Sequence, residues 1–286
     1  MKENRLKLAI QKGGRLSEKS VQLLKKCGIE ITNGGKLKAE SSNFPLDVLY
    51  LRDDDIPQYV ADGVADIGIA GENIVVEKGK KVIALEKPGF ARCRLSLAVP
   101  RETAYDQIAW FENKKIATTY PNITLNYLRS KGVNAEIEEI SGSVEIAPGI
   151  GLADGICDIV STGSTLLANG LKEVETVMKS EALLIGNENL SDEKNDILRQ
   201  LQFRIQTVRA AEKYKYILLN APDESVEAIT ALLPGMKSPT VLPLAEKGWS
   251  SLHSVVKERE FWDVIDQLKQ AGAEGILVCP IEKMVA

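Results

Sequence analysis

With 286 residues, 44% of them hydrophobic and 27% charged, the chain is long enough for two or three domains with full cores. A formal net charge of −4 excludes a general attraction to nucleic acid or anionic membranes, so an anionic ligand needs a local device. The start MKENRLKLAIQ lacks the apolar stretch of a signal peptide, no run is long enough to span a bilayer, and four dispersed cysteines predict reduced thiols in a cytoplasmic protein.

In chain order, Leu6–Gln11 reads as a strand followed by the loop KGGRLS. Ser17 is expected to cap a helix whose apolar face is Val21, Leu24 and Cys27. Leu46–Leu51 is the next strand; behind it RDDDIPQYVADGV has acids suited to a helix start and Pro57 in the first turn. Asp66–Ala70 and Arg94–Val99 are further short strands, and the alternation of strands with helices predicts a mostly parallel sheet. PRETAYDQIAWFENKK reads as a junction. A second alternating unit begins at Lys115–Thr118, with a helix over TYPNITLNYLRSKG and strands at AEIEEI and Cys157–Val160. The chain turns apolar again around Ser180–Gly186, and NENLSDEKNDILRQLQFRIQTVRAAEKY predicts a long helix returning to the first unit. The expected boundaries are 1–97 with 179–210 for lobe I, 98–178 for lobe II, and 211–286 for a separate module. That module reads as YKYILLN, TVLPLA, SLHSVVK and EGILVCP strands. Its helices are ESVEAITALLPG, closed by Pro234 and Gly235, and REFWDVIDQLKQAG, stopped by Gly272. The order βαββαβ is ferredoxin-like.

The stretch from Glu139 to Leu171 carries the most chemistry. A buried strand, Cys157–Val160, ends in Ser161, Thr162, Gly163, Ser164 and Thr165 ahead of apolar residues able to form a helix. Such a loop offers unpaired backbone N–H groups, hydroxyl donors and a helix start, which together make a phosphate cradle without lysine. Asp158, three residues before the loop, is placed to accept hydrogen bonds from ribose hydroxyls, and Glu145 and Asp154 add carboxylates nearby in sequence. In the N-terminal lobe, Lys12, Gly13, Gly14 and Arg15 follow one strand, Arg52 and Asp53 the next, and Gly71, Glu72 and Asn73 a third. Cations recurring at successive strand ends favour an anionic ligand such as a triphosphate. The lone His253 lies in a predicted strand and reads as structural or near a regulatory pocket rather than as a base.

These stretches, together with LRDDDIPQYVADGVADIGIAGEN, CRLSLAVP, LLPGMKSPTVLPLA and GILVCPIEKM, resemble in order the long, regulated form of the ATP phosphoribosyltransferase family. The resemblance implies an α/β, bilobed catalytic part like type II periplasmic binding proteins and a histidine-binding C-terminal domain. It implies Mg²⁺-dependent transfer of phosphoribosyl from phosphoribosyl pyrophosphate to a ring nitrogen of ATP, the first step of histidine biosynthesis, with Mg²⁺ held mainly by substrate. It further implies Ser161, Thr162, Gly163, Ser164 and Thr165 on the 5′-phosphate, Glu145 and Asp158 on the ribose, and Asp154 helping to order the loop. Lys12, Gly13, Arg15, Arg52, Asn73 and Cys93 fall on the nucleotide and pyrophosphate side, with Glu145, Asp158, Lys12 and Arg15 in the catalytic set. Asn220, Met236, Ser238 and Thr240 match the lining of the histidine pocket, and the family forms dimers that assemble into hexamers. Gly14 and Gly149 depart from the serine and arginine expected there.

Two other readings remain open on the residues. A type I phosphoribosyltransferase shares the strand–acid–hydroxyl loop, although Asp158 stands alone after Cys157 where two adjacent acids are usual. A bilobed ligand sensor without catalysis would also use such loops.

Overall fold

The computed structural model describes residues 4–32, 37–233, 235–236 and 238–285. The chain divides into two compact units, Met1–Leu198 and Arg199–Ala286.

The first unit opens with β1 (Leu6–Gln11), α1 (Arg15–Lys26), β2 (Ile31–Thr32), β3 (Lys38–Ser41) and β4 (Leu46–Leu51). It continues through α2 (Ile56–Ala61), β5 (Ile67–Gly71), α3 (Glu72–Lys78) and β6 (Ile83–Glu86). Then come β7 (Cys93–Pro100), β8 (Lys115–Thr118), α4 (Pro121–Ser130), β9 (Glu136–Glu139) and β10 (Gly155–Val160). α5 (Ser164–Ala168), β11 (Leu171–Ser180) and β12 (Ala182–Gly186) follow, and α6 (Asp192–Ala211) begins in this unit and runs into the second. Two sheets result, ordered β2-β3-β4-β1-β5-β12-β6 and β11-β7-β10-β8-β9. The chain crosses from the first sheet to the second between β6 and β7 and returns between β11 and β12, giving the two α/β lobes of a type II periplasmic-binding-protein-like fold.

The sheets are mixed, not mostly parallel. Among the described residues the parallel pairs are β1 with β4 and β5, and β8 with β9 and β10. The crossing strands enter antiparallel: β7 and β11 pair with each other, and β12 pairs with β5 and β6. Helix–strand alternation does not encode that reversal. β7 and β11 hydrogen-bond from end to end, so the boundaries expected at 97/98 and 178/179 fall inside two strands of the second sheet. The compact units part at 198/199, within α6.

Local chemistry accounts for α1 differently from the capping reading. Gly14, not Ser17, precedes the first helical residue, and Ser17 lies buried in the first turn. The buried residues are Ser17, Ser20, Leu23 and Leu24, with Cys27 just beyond the helix, while Val21 is exposed. Small hydroxyl residues suit a helix lying against a sheet, and Ser20 turns its Oγ back onto the Leu16 carbonyl at 2.7 Å. Pro57 sits in the first turn of α2 behind the 3₁₀ turn Asp53–Asp55, where no acid side chain caps the helix.

The second unit contains β13 (Tyr214–Pro222), α7 (Val226–Leu232), β14 (Thr240–Pro243), β15 (Trp249–Lys257), α8 (Glu258–Gln270) and β16 (Glu274–Pro280). Its antiparallel sheet has the order β14-β15-β13-β16, the ferredoxin-like arrangement. Ile217, Leu219, Ala221 and Leu252 face the apolar sides of α7 and α8 through Ile229, Phe261 and Leu268. Gly272, at φ 90°, ends α8 in a conformation disfavoured for side-chain-bearing residues. Pro234, expected to close α7, lies outside the described residues. Among the described residues no helix is long and apolar enough to cross a membrane.

Candidate functional site

β10 lies inside the second sheet between β7 and β8, and its C-terminal end opens into Ser161–Gly163 before α5 begins. Gly163 takes φ 84° and ψ 0°, which lets the chain turn sharply into the helix. Ser161, Thr162, Ser164 and Thr165 are exposed, and the hydroxyls of Thr162 and Ser164 lie 3.0 Å apart. Amides at a helix start lack intrahelical acceptors, so this turn presents N–H and O–H donors together.

Alternation along β10 puts Ile156, Asp158 and Val160 on one face of the sheet. Ile156 and Val160 are covered there by Val144, Ala147 and Leu166. The 3₁₀ turn Val144–Ile146 in that cover carries Glu145. Asp158 is half-buried on this face, and burial, with the Glu145 charge adding, holds its carboxyl above the usual carboxylate range. Two carboxylates on one face beside a donor-rich turn form a site that favours a hydroxylated, cationic or metal-bearing ligand.

The structure does not bring Asp154 to this site. It precedes β10 at the strand's other end, roughly 20 Å from the loop at strand rise. There its Oδ2 accepts the Lys115 N–H at 2.9 Å and its Oδ1 pairs with Lys114 at 3.8 Å. Its role is to fix the start of the strand beside β8.

In the first sheet the parallel run β4-β1-β5 places three C-terminal strand ends on one edge. Lys12, Gly13 and Arg15 follow β1, Arg52 follows β4, and Asn73 follows β5. Lys12, Arg15 and Arg52 are exposed and have no ion-pair partner among the described residues. Gly14 holds φ 85° and ψ −179°, a region essentially restricted to glycine, so the missing serine reflects backbone geometry. Gly149 differs: an added Cβ would meet only the Ile146 carbonyl oxygen at an ordinary 3.5 Å.

Asn73 is turned inward and is 4% exposed. Ser180 Oγ accepts its backbone N–H at 3.1 Å and donates to its Oδ1 at 2.8 Å. Cys93, half-buried, stands opposite Ser180 in the β7–β11 pair, and burial raises its thiol pKa. Both residues border a cavity of about 230 Å³ that Glu72 and Arg92 also line. Cys157 is wholly buried, and its thiol is pushed up to about 12, which removes it as a nucleophile.

Three features lie outside the reach of the sequence reading. Tyr120 is 7% exposed, with the Asn73 side chain at its hydroxyl; burial raises its pKa and the charges of Asp158, Asp53 and Asp54 add to the rise. It therefore stands between the carboxylate face of one lobe and the strand ends of the other. Glu77 of α3 accepts the N–H groups of Asn122 and Ile123 at 2.9 and 3.0 Å, joining the lobes at the start of α4. Arg94 reaches from β7 to the Ser161 carbonyl at 3.2 Å. No local pattern announces any of these contacts.

In the second unit, Asn220 and Thr240 lie on β13 and β14, with β15 between them. Asn220 pairs with Ser251 and Thr240 with His253, on the sheet face away from the helices. Met236 and Ser238 are exposed in the segment before β14, and Met236 borders a cavity of about 220 Å³ with Gly235, Tyr214 and Val255. His253 is bonded at both ring nitrogens, to the Tyr216 hydroxyl at 2.6 Å and the Ser251 hydroxyl at 3.1 Å.

A sequence profile described as ATP phosphoribosyltransferase matches residues 52–207, and one described as the HisG C-terminal domain matches residues 211–283. An ATP phosphoribosyltransferase from Cytophaga hutchinsonii is 62% identical over 281 residues, covering 98% of each chain. The chain belongs to the ATP phosphoribosyltransferase family. A Bacteroides thetaiotaomicron ATP phosphoribosyltransferase is 58% identical, over 98% of this chain and 99% of that one. Among solved structures, the ATP phosphoribosyl transferase (HisG:HisZ) complex from Thermotoga maritima aligns with a TM-score of 0.61 at 34% identity. That alignment covers 70% of this chain and 98% of the other. Identity of this extent sets aside both the type I phosphoribosyltransferase and the non-catalytic sensor: the chain is an ATP phosphoribosyltransferase in sequence, and a transferase in function.

Proposed function

We propose that this ATP phosphoribosyltransferase performs the first step of histidine biosynthesis with the two lobes dividing the substrates between them. The lobe built on the five-stranded sheet takes phosphoribosyl pyrophosphate, with its 5′-phosphate at Ser161–Thr165 and its ribose at Glu145 and Asp158. The strand ends of the seven-stranded sheet take ATP and the pyrophosphate through Lys12, Gly13, Arg15 and Arg52. The observation that carries this reading is a donor-rich turn at the end of β10 with two half-buried carboxylates beside it, Asp158 on the strand and Glu145 on the 3₁₀ turn that covers it.

Displacement at the anomeric carbon develops positive charge on the ribose ring and negative charge on the departing pyrophosphate. ATP supplies the attacking ring nitrogen, so the protein aligns reactants and stabilises separated charge. Asp158 and Glu145 accept ribose hydroxyls and favour the cationic ring. Lys12 and Arg15, exposed and without an ion-pair partner among the described residues, face the leaving anion. Asn73 is buried and acts on the nucleotide side through Tyr120 and Ser180, with Cys93 at the edge of the same cluster.

The donor set fits Mg²⁺ carried by its substrate. Asp158 and Glu145 place negative charge beside the loop, where a divalent cation carried by the substrate would be attracted. Asp158 or Glu145 would stand beside such an ion, whose other ligands would be phosphate oxygens and water. When bound, the ion supplies neutralisation of the pyrophosphate charge.

We infer further that the ferredoxin-like unit binds histidine as a feedback inhibitor at Asn220, Met236, Ser238 and Thr240. The enzyme is read as a cytoplasmic homo-oligomer, dimeric to hexameric. Mixing purified protein with ATP, phosphoribosyl pyrophosphate and Mg²⁺ should release pyrophosphate, and a preparation that releases none refutes the catalytic reading. Millimolar histidine should suppress the rate; an unchanged rate removes the regulatory assignment alone.

A further inference from the structure

We propose that Arg94, locked by Glu173 and Ser96, is a positioning residue that sets the phosphate loop through the Ser161 carbonyl. The inference rests on the reading of Ser161–Thr165 as the phosphate cradle. Arg94 lies opposite Val160, the last residue of β10, in the β7–β10 pair. Its Nε and Nη2 donate to the two carboxylate oxygens of Glu173, each at 2.5 Å. Ser96, 1% exposed, donates its hydroxyl to Glu173 Oε1 at 2.8 Å. The planar fork of the guanidinium is thus fixed on one side, which leaves Nη1 aimed at the Ser161 carbonyl 3.2 Å away.

Two physical consequences reach the ligand. In a planar trans peptide the C=O and the following N–H point in opposite directions. Drawing the Ser161 carbonyl toward Arg94 therefore turns the Thr162 N–H away from it, into the turn where the other donors lie. The second consequence is electrostatic. Glu173 is held ionised: the Arg94 hydrogen bond lowers its carboxyl most, burial opposes that shift, and the Ser96 hydroxyl lowers it further. Without its partner that carboxylate would oppose an incoming phosphate dianion; paired, it is neutral to it.

The test is steady-state kinetics with each substrate varied in turn. Arg94→Met should raise KM for phosphoribosyl pyrophosphate about tenfold, the effect of one lost charge-assisted hydrogen bond, and leave KM for ATP within about twofold. Arg94→Lys, which keeps the charge and loses the fork, should fall between Arg94→Met and wild type, and it carries the test if the methionine variant does not fold. Adding Glu173→Gln to Arg94→Met should recover part of the loss by removing the stranded carboxylate. Thr165→Val serves as the control for the loop itself. If Thr165→Val raises KM for phosphoribosyl pyrophosphate and the Arg94 variants do not, the cradle stands and the positioning role falls. If neither raises it, the cradle reading falls and takes this inference with it. An equal rise in both KM values would mark a general structural role and overturn the proposal.

Discussion

Removing the Glu77 carboxylate tests how the two sheets of the catalytic unit are held together. Glu77 lies on α3, which follows β5 of the first sheet, and is 6% exposed. Its carboxylate accepts two backbone N–H groups in the first turn of α4, at 2.9 and 3.0 Å, and its own carbonyl accepts from Asn122 Nδ2 at 3.2 Å. α4 has no side-chain cap of its own, so an acid from the opposite lobe satisfies its orphan donors and meets the positive end of its dipole. Ile74, one turn earlier on α3, joins the apolar cluster of the second lobe beside Leu95 and Ile123. The contact is therefore both apolar and ionic.

Hydrogen bonds to a charged group contribute about 1.5–3 kcal/mol each. In Glu77→Ala both are lost, while water entering the space left by the side chain re-solvates the amides. The net cost is then close to that of one bond, about 2–3 kcal/mol, or roughly 30- to 150-fold in a local opening constant. Amide hydrogen exchange reads this directly: Asn122 and Ile123 should exchange faster by that factor, with the amides of β1 and β4 unchanged. Glu77→Gln, which keeps one acceptor, should show about a tenfold effect. Exchange at Asn122 and Ile123 within threefold of wild type, or an equal rise across the whole unit, would refute the reasoning.

Three further outcomes are expected. Asp158→Asn should lower kcat about hundredfold, the scale of one lost electrostatic group at a reacting centre, with the thermal transition unmoved; wild-type turnover would dismiss the role. Ionised Asp158 is the active form, and burial, aided by Glu145, raises its pKa; activity should therefore fall, as the medium is acidified, at a higher pH than for an exposed carboxylate. Glu145→Gln removes the Coulombic part and should move that acid limb to lower pH, so a limb at the same pH in both enzymes contradicts the coupling. Gly14→Ser should cost about 1–3 kcal/mol because of its backbone conformation, and Gly149→Ala close to nothing; equal shifts in denaturation midpoint would mean that the φ of Gly14 is not what selects glycine.

The hydroxyl-rich turn after β10 was legible because its residues are contiguous. A buried strand, a glycine and four hydroxyls within one stretch imply an exposed donor-rich bend whatever the rest of the chain does. The ferredoxin-like unit was legible for the same reason, its elements being consecutive and regularly spaced. Contacts between distant segments were not legible. Glu77 finds Asn122 45 residues away, Arg94 finds Glu173 79 residues away, and Asn73 finds Ser180 107 residues away. Asn73 shows the consequence most sharply. Its place after a strand predicts an exposed side chain, yet the end of β11 covers it, because the chain returns to the first sheet beside β5.

That same return explains how the two sites proposed for the substrates would be tuned separately from one pair of strands. Cys93 stands opposite Ser180 and Arg94 opposite Lys179 in the β7–β11 pairing. Neighbouring residues of a strand point to opposite faces, so Cys93 and Ser180 turn toward Asn73 while Arg94 turns toward the Ser161 carbonyl. Changes at Ser180 should thus reach Asn73, and changes at Arg94 the Ser161–Thr165 turn, although the two residues belong to one hydrogen-bonded ladder. A slip of one residue in the register of β7 would exchange the two faces and turn the arginine into the apolar cluster that holds Ile74, Phe111 and Ile116. The buried row on β7 forbids that slip, and it is this packing, more than any residue touching a ligand, that keeps the two sites distinct.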